Sequence, residues 1–370
     1  MILSGTVLLA GFLNFPVNGK PAEVCGAIHL PVGIGCCQIC GTFERRAKRL
    51  TFSPALRAAF RYGYHKKNGT FLGEVSILHK TSKKLRRAAY AGKHSFLFQC
   101  PVCASGMEVV QPASLKCSNG HNFDFAKQGY VNLLTRPAKT KYDRQLFEAR
   151  RKLMAEKGFF EPVTKAVAGI VAAGTGSTLY ILDSGCGEGT HLQQICQLLE
   201  DKGRKVAGVG IDLAKEAIIA AARTYGGERI WCVADLAQAP FKAETFDVIV
   251  NILSPSNYGE FERLLKPGGR LLKVVPKAGY LQELRAFFYS GSEKEMYSNK
   301  ETIERFQEKF RLTDRKTVQY TKTLDRESLE ALTAMTPLAW NAGGEKISAF
   351  LEKAPREITV ELDILIGNKD

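Results

Sequence analysis

The sequence predicts an α/β fold built on a parallel sheet, with a small cysteine-rich module in front of it. Three observations carry that expectation. Short apolar runs alternate with amphipathic stretches from about residue 179 to 275, the βαβ rhythm of a parallel sheet. Three glycines at alternate positions, Gly185, Gly187 and Gly189, follow the first of these runs. Upstream stand two knuckles, Cys100-Pro-Val-Cys103 and Cys117-Ser-Asn-Gly-His121, separated by 13 residues.

Length and composition set the frame. A chain of 370 residues with 45% hydrophobic and 24% charged residues has room for two or three soluble domains. The formal charge of +15 is unevenly spread. Residues 1–95 hold 15 Lys/Arg against 3 Asp/Glu, and the remaining 275 residues hold 37 against 34. Bulk charge is therefore a poor argument for a polyanion-binding body. The ten cysteines form no regular framework, which suits a reducing cytoplasm and one metal site. No apolar stretch reaches the roughly 18 residues of a membrane span. Residues 2–15 are apolar but lack a basic start and a small-x-small end, so a signal peptide is not expected.

Residues 1–95 read as a basic leader, poorly ordered or foreign to the natural product, and dispensable. A truncated chain starting near His94 is expected to keep its activity. Cys37 and Cys40 have no second pair at a suitable distance, so they are taken as incidental. Lys83-Lys84-Leu85-Arg86-Arg87 reads as a solvated basic run, with contact to RNA phosphates as the sharper alternative. Residues 96–134 form the next unit. Two knuckles with two ligands each are what tetrahedral Zn²⁺ requires, and Cys100, Cys103, Cys117 and His121 make a closed structural set with no position left for water. A short helix ending at Gly129 and an extended Tyr130–Leu134 are expected to follow. Residues 135–160 read as a basic linker and a helix from Gln145 to Lys157. On that helix Arg150 and Arg151 face either RNA or solvent.

The stretch 161–370 carries the sheet. A helix from Glu161 to Val171 precedes the strand that ends at Asp183. A nicotinamide fingerprint would read G-x-G-x-x-G. The spacing here is G-x-G-x-G with a carboxylate two residues ahead, which favours S-adenosylmethionine over a pyrophosphate cofactor, with a structural or phosphate-binding turn as the rival reading. A second strand ends at Asp212, 29 residues after Asp183, where a carboxylate can accept from both ribose hydroxyls. A third ends before Asp235-Leu236, where the carboxylate can hold an adenine amino group and Leu236 can pack on the ring. A fourth ends at Asn251, and a fifth covers Arg270–Val275. One acid closing a strand is more often a helix cap than a ligand, but four polar residues in register are a pattern. The tail from Glu357 to Ile366 alternates as a closing antiparallel strand.

Residues 180–290 resemble a Rossmann-like class I S-adenosylmethionine-dependent methyltransferase. Both knuckles, Phe123-Asp124, Gly129-Tyr130-x-Asn132-Leu133-Leu134, Ala149-Arg150-Arg151 and Met335-Thr336-Pro337-Leu338-Ala339-Trp340 extend the resemblance over 96–370. The whole set resembles the RlmA-type large-subunit ribosomal RNA (guanine-N1) methyltransferases. That resemblance implies a zinc module that recognises an RNA hairpin, S-adenosylmethionine as cofactor, cytoplasmic ribosomal RNA as partner, and a homodimer as a further option. Carried over, the cofactor contacts are Phe160, Gly189, Thr190, Asp212, Leu213 and Tyr280, beside Asp183, Gly185, Gly187, Asp235 and Leu236. The segment Asn251-Ile-Leu-Ser-Pro255 only partly matches the motif with which amino-directed methyltransferases hold a base. Asn251 and Ser254 are the base-edge candidates there, and Asn251 serves equally as a strand-end cap. Tyr258, Phe288 and Trp340 could stack a splayed base, although a core role suits each. The rival functions are a small-molecule methyltransferase with the same core and an inactive zinc-dependent RNA-binding protein.

Overall fold

The computed structural model describes strands at 16–17, 20–21, 60–67 and 70–77, and residues 82–138, 142–172, 178–353 and 355–369. The chain divides into two compact units, Met1–Lys80 and Thr81–Asp370. In the first, Pro16–Val17 pairs with Lys20–Pro21 and Phe60–Lys67 pairs with Thr70–Ile77, both antiparallel. Cys37 and Cys40 lie outside the described residues.

The second unit starts earlier than the sequence reading placed it. Lys83–Lys93 is a helix (α1), with Ser82 capping its start by accepting from Leu85 N at 3.3 Å. Arg87, Ala88, Tyr90 and Ala91 recur at helical spacing, and all four are buried. The Arg87 guanidinium donates to the backbone oxygens of Tyr225 and Arg229, and Lys83 Nζ donates to Ala222 O and Arg223 O at 3.2 and 2.9 Å. This basic run is a docked helix that satisfies otherwise orphaned carbonyls, not a solvated tail. A basic stretch hides that role because the buried side chain is itself an arginine.

The cysteine module is a meander of Met107–Val110 (β1), Ser114–Cys117 (β2) and Asn122–Asp124 (β3). No helix forms before Gly129; a turn closes there instead, with Gly129 N donating to Ala126 O at 2.8 Å and Ala126 N to Tyr130 O at 2.8 Å. Val131–Asn132 (β4) then joins the main sheet, so the module is welded to the body. Gln99 N donates to Pro240 O at 3.0 Å and Lys242 N to Leu97 O at 2.9 Å, which secures the other side.

The body contains helices Arg144–Arg151 (α2) and Glu161–Ala172 (α3), joined through a π turn at Lys152–Glu156. The helix expected over Gln145–Lys157 therefore changes its winding after Arg151. Thr178–Ser184 (β5), Thr190–Glu200 (α4), Lys205–Asp212 (β6), Lys215–Thr224 (α5), Arg229–Val233 (β7), Phe246–Ile252 (β8), Tyr258–Leu264 (α6) and Leu265–Pro276 (β9) continue the alternation. Gln282–Tyr289 (α7), Lys300–Gln307 (α8), Arg311–Thr323 (β10), Arg326–Met335 (α9), Gly344–Lys353 (α10) and Glu357–Asn368 (β11) complete it. The eight strands lie in the order β10-β11-β9-β8-β5-β6-β7-β4. β9 to β4 are parallel, and β11 runs antiparallel to both β9 and β10, as the alternating tail implied.

Central strands of such a sheet are covered on both faces, which is why β5 reads as a continuous apolar run. Leu179 and Ile181 pack with Val163, Val167, Leu192 and Ile195 in one core layer. Leu182 packs with Val209, Ile211, Ile249 and Phe261 in the other. Strand order reverses at β5, between β6 and β8, so the carboxyl ends of those strands open a crevice. Among the described residues no helix is long and apolar enough to cross a membrane.

Candidate functional site

A cleft of about 340 Å³ lies at that reversal. Its floor is Gly185 and Gly187 after β5, Ile211 to Ala214 across the end of β6, Ala234 to Leu236 after β7 and Ile252 to Pro255 across the end of β8. The roof comes from far away in sequence: Tyr142, Leu146, Phe147 and Arg150 on and before α2, and Met335, Pro337 and Trp340 after α9. Leu146, Phe147 and Arg150 fall on one side of α2 by helical spacing, so the face expected to meet RNA or solvent at Arg150 closes the cleft.

The glycine turn is shaped by what presses on it. Gly185 has φ +77°, and a Cβ there would lie 1.8 Å from Ser254 Oγ. Gly189 caps α4 with φ +82°, and its Cβ would meet the Trp231 ring at 2.5 Å. Neither position admits a side chain.

Asp212 holds the turn from the next strand. Its Oδ2 accepts from Gly187 N at 2.9 Å and its Oδ1 from Ala214 N at 2.8 Å. Burial pushes its carboxyl upward, against those two backbone donors. Each oxygen keeps a further lone pair for a ribose hydroxyl. Asp235 is exposed and caps the short turn Leu236–Gln238 through Ala237 N at 2.9 Å. Leu213 and Leu236 line the same wall.

Beneath the turn sits a buried ionic cluster. Arg150 Nε donates to Glu188 Oε2 at 2.6 Å, with Glu188 only 1% exposed. The two terminal nitrogens of Arg150 make no hydrogen bond among the described residues. Asp183 is 2% exposed, its Oδ2 has no partner, and burial lifts its carboxyl to about 8 despite the pull of Arg150. Glu188 Oε1 and His191 Nε2 are likewise unpartnered. Burial first, and Arg150 second, hold His191 down at about 3, so its ring is neutral. Such unpaired groups mark a place where a polar ligand completes the bonding.

Other expected contacts lie at one remove. Phe160, 1% exposed, stacks on Tyr280 with ring centroids 6.5 Å apart and packs against His191. Thr190 Oγ1 is paired with Tyr225 OH at 2.6 Å. None of these residues lines the cleft itself.

Asn251, the base-edge candidate, is fully enclosed and does not face the cleft. Its Nδ2 donates to Ser184 O at 2.8 Å and Pro255 O at 3.0 Å, while its Oδ1 accepts from Ser256 Oγ and from Lys273 Nζ. Lys273 also donates to Ser254 O, and burial lowers its amine to about 8. Both groups fix the Leu253–Pro255 loop, in which Leu253 is held at φ +51°. Asn251 is a strut, because its amide is consumed by the last carbonyl of β5 and by the loop that follows β8. Arg150, Glu188 and Lys273 were missed or misplaced in the sequence because their partners lie 19 to 38 residues away.

The four zinc candidates converge. Their ligand atoms all lie within 4.8 Å of one another. Cys103 Sγ stands 3.7 Å from Cys117 Sγ, and His121 Nδ1 stands 3.6 and 3.4 Å from Cys100 Sγ and Cys117 Sγ. A tetrahedral Zn²⁺ with bonds of about 2.3 Å to sulfur and about 2.05 Å to nitrogen needs edges of roughly 3.8 and 3.6 Å, so the donors fit the ion. Hydrogen bonds from Ser105 hold the Cys103 thiol down at about 5, toward the thiolate that a metal takes.

Comparison with known proteins agrees with both halves. The sequence model of the zinc ribbon described as "RlmA, N-terminal" matches residues 98–144, and that of a "Methyltransferase domain" matches 181–269. The chain is 45% identical over 276 residues to YxjB of Bacillus subtilis (strain 168), a candidate 23S rRNA (guanine-N(1)-)-methyltransferase, covering 74% of this chain and 97% of that protein. It is 30% identical over 273 residues to the 23S rRNA (guanine(748)-N(1))-methyltransferase of Streptomyces fradiae, covering 72% and 95%. Zinc ribbon, methyl-donor crevice and full-length relatives coincide, and the chain belongs to the RlmA family of 23S rRNA (guanine-N1) methyltransferases.

Proposed function

We propose that this chain methylates N1 of a guanine in a hairpin of large-subunit ribosomal RNA, in the cytoplasm, with S-adenosylmethionine as donor. The observation that carries the reading is the crevice at the strand reversal, which gathers Gly185, Gly187, Asp212 and Asp235 on one rim. Bound there, the cofactor supplies a methyl group on a sulfonium.

The chain's own residues supply position and dryness. Asp212 orients the ribose, Asp235 accepts from the adenine amino group, and Leu213 and Leu236 flank the ring. The free nitrogens of Arg150 suit a carboxylate and the unpaired oxygen of buried Asp183 suits an ammonium, so the two together fit an amino-acid end. The roof residues Phe147 and Met335 cover the cleft with apolar surface that keeps water from the methyl carbon, and the fixed walls keep the attacking nitrogen in line with it. The zinc module, joined to the sheet through β4, presents the hairpin.

The test is transfer of labelled methyl from the cofactor to unmodified 23S rRNA, followed by mapping of the modified base. Label on N1 of one guanine supports the reading; label confined to small metabolites overturns it.

A further inference from the structure

Resting on that reading, we infer that the target guanine leaves its helix and stacks on the face of Trp340, with its edge against the Leu253–Pro255 loop. Both walls belong to the same cleft as the cofactor residues. An enzyme acting on N1 must take the base out of its stack and needs a π face to receive it.

Trp340 is the tryptophan available for this. It is 40% exposed at the mouth of the cleft, whereas Trp231 is 1% exposed under the glycine turn. The other aromatics considered do not line the cleft: Phe288 packs on Phe287 and Phe350, and half-buried Tyr258 on Phe261, Phe306 and Phe310. The indole is also fixed in advance. Its Nε1 donates to Ala334 O at 3.2 Å, and the Tyr142 ring meets it edge-on with centroids 5.6 Å apart. A surface so held loses little freedom when a base settles on it.

The facing loop is equally rigid. Lys273 and Asn251 engage its carbonyls, Leu253 keeps a left-handed backbone, and Ser254 Oγ touches the cofactor turn at Gly185. Ser254 Oγ makes no hydrogen bond among the described residues, and it lies against the Gly185 turn on the cleft wall, free to receive the pairing edge of a stacked guanine. A planar base thus has one stacking face and one polar edge group.

The experiment compares binding of the full chain, saturated with S-adenosylhomocysteine, to two RNA hairpins. One carries the unmodified target guanine and the other is abasic at that nucleotide. Trp340→Ala is expected to weaken the intact hairpin by about 10- to 100-fold. It should change the abasic hairpin by less than about twofold and leave S-adenosylhomocysteine affinity unaltered. Trp340→Phe, which keeps a stacking ring, should recover most of the loss. Equal losses on both hairpins, no loss on either, or a parallel loss of cofactor affinity would each overturn the assignment. A wild-type chain that methylates no guanine of 23S rRNA defeats the functional reading instead, a result distinct from an intact enzyme indifferent to Trp340.

Discussion

At the scale of single residues, Asp183 is the group whose charge the site controls. Burial raises its carboxyl from 3.8 to about 8, with Glu188 and Asp212 pushing the same way and Arg150 opposing. Between those values the folded chain holds a proton that the unfolded chain has released, so stability falls as pH rises through the window. Below about 3.8 the penalty is absent, and above about 8 it is complete. Melting curves across this range should show the slope in the wild type and lose it in Asp183→Asn. A cofactor ammonium beside Asp183 favours the ionised form, so binding should release a proton and tighten with rising pH up to about 8. Calorimetry of S-adenosylhomocysteine in two buffers of different ionisation enthalpy reads that proton. An identical heat in both buffers removes Asp183 from the amino-acid end. Arg150→Ala should weaken the same ligand by about 10- to 100-fold, the worth of charge-assisted hydrogen bonds. The acids at the rim were legible because each closes its own apolar run. Arg150 was not, since nothing within α2 tells a buried guanidinium from a solvated one.

At the scale of elements, helix α1 and the loop after β8 do work that their sequences disguise. The Arg87 guanidinium serves two carbonyls at the edge of the sheet. Arg87→Met leaves both unsatisfied and should cost about 2 kcal/mol, which is roughly 4–8 °C in a melt. By the same logic a chain starting at Thr81 should stay folded, while one starting at His94 should melt earlier. Equal melting temperatures would show that the helix is an appendage. Asn251→Ala removes an acceptor from buried Lys273 and two bonds from the loop, at a cost of about 2–3 kcal/mol. RNA methylation should fall with S-adenosylhomocysteine affinity retained, because the residues assigned to the cofactor stand at the ends of β5 to β7 and on α2, not on the loop after β8. The parallel strands were readable from periodicity, with ends displaced by a residue or two except in β9, which starts at Leu265, five residues before the expected Arg270. The roof was not: its residues are drawn from α2 and the segment after α9, and no local pattern records which distant surface a helix will cover.

At the scale of the molecule, the zinc ribbon and the crevice share one sheet, and the question is what that continuity transmits. β4 touches β7 through two residue pairs, and the Phe98–Phe241 bridge adds a second attachment. That pairing falls on Cys232 and Val233 at the carboxyl end of β7, next to Ala234 to Leu236 of the cofactor rim, but the rest of the rim stands on β5, β6 and β8 and is closed by α2 and the turn after α9. Stripping zinc, or Cys103→Ser, should therefore unfold the knuckles while sparing the rim. S-adenosylhomocysteine affinity is expected to stay within about threefold, which is under 1 kcal/mol. RNA methylation should drop by at least about tenfold and return when zinc is restored to the wild type. Loss of cofactor affinity together with the metal would mean that β4 is part of the core that holds β7 in place. The hairpin-presenting role of the ribbon would then be inseparable from its role in folding, because a module welded to an edge strand stabilises that edge whether or not it touches RNA.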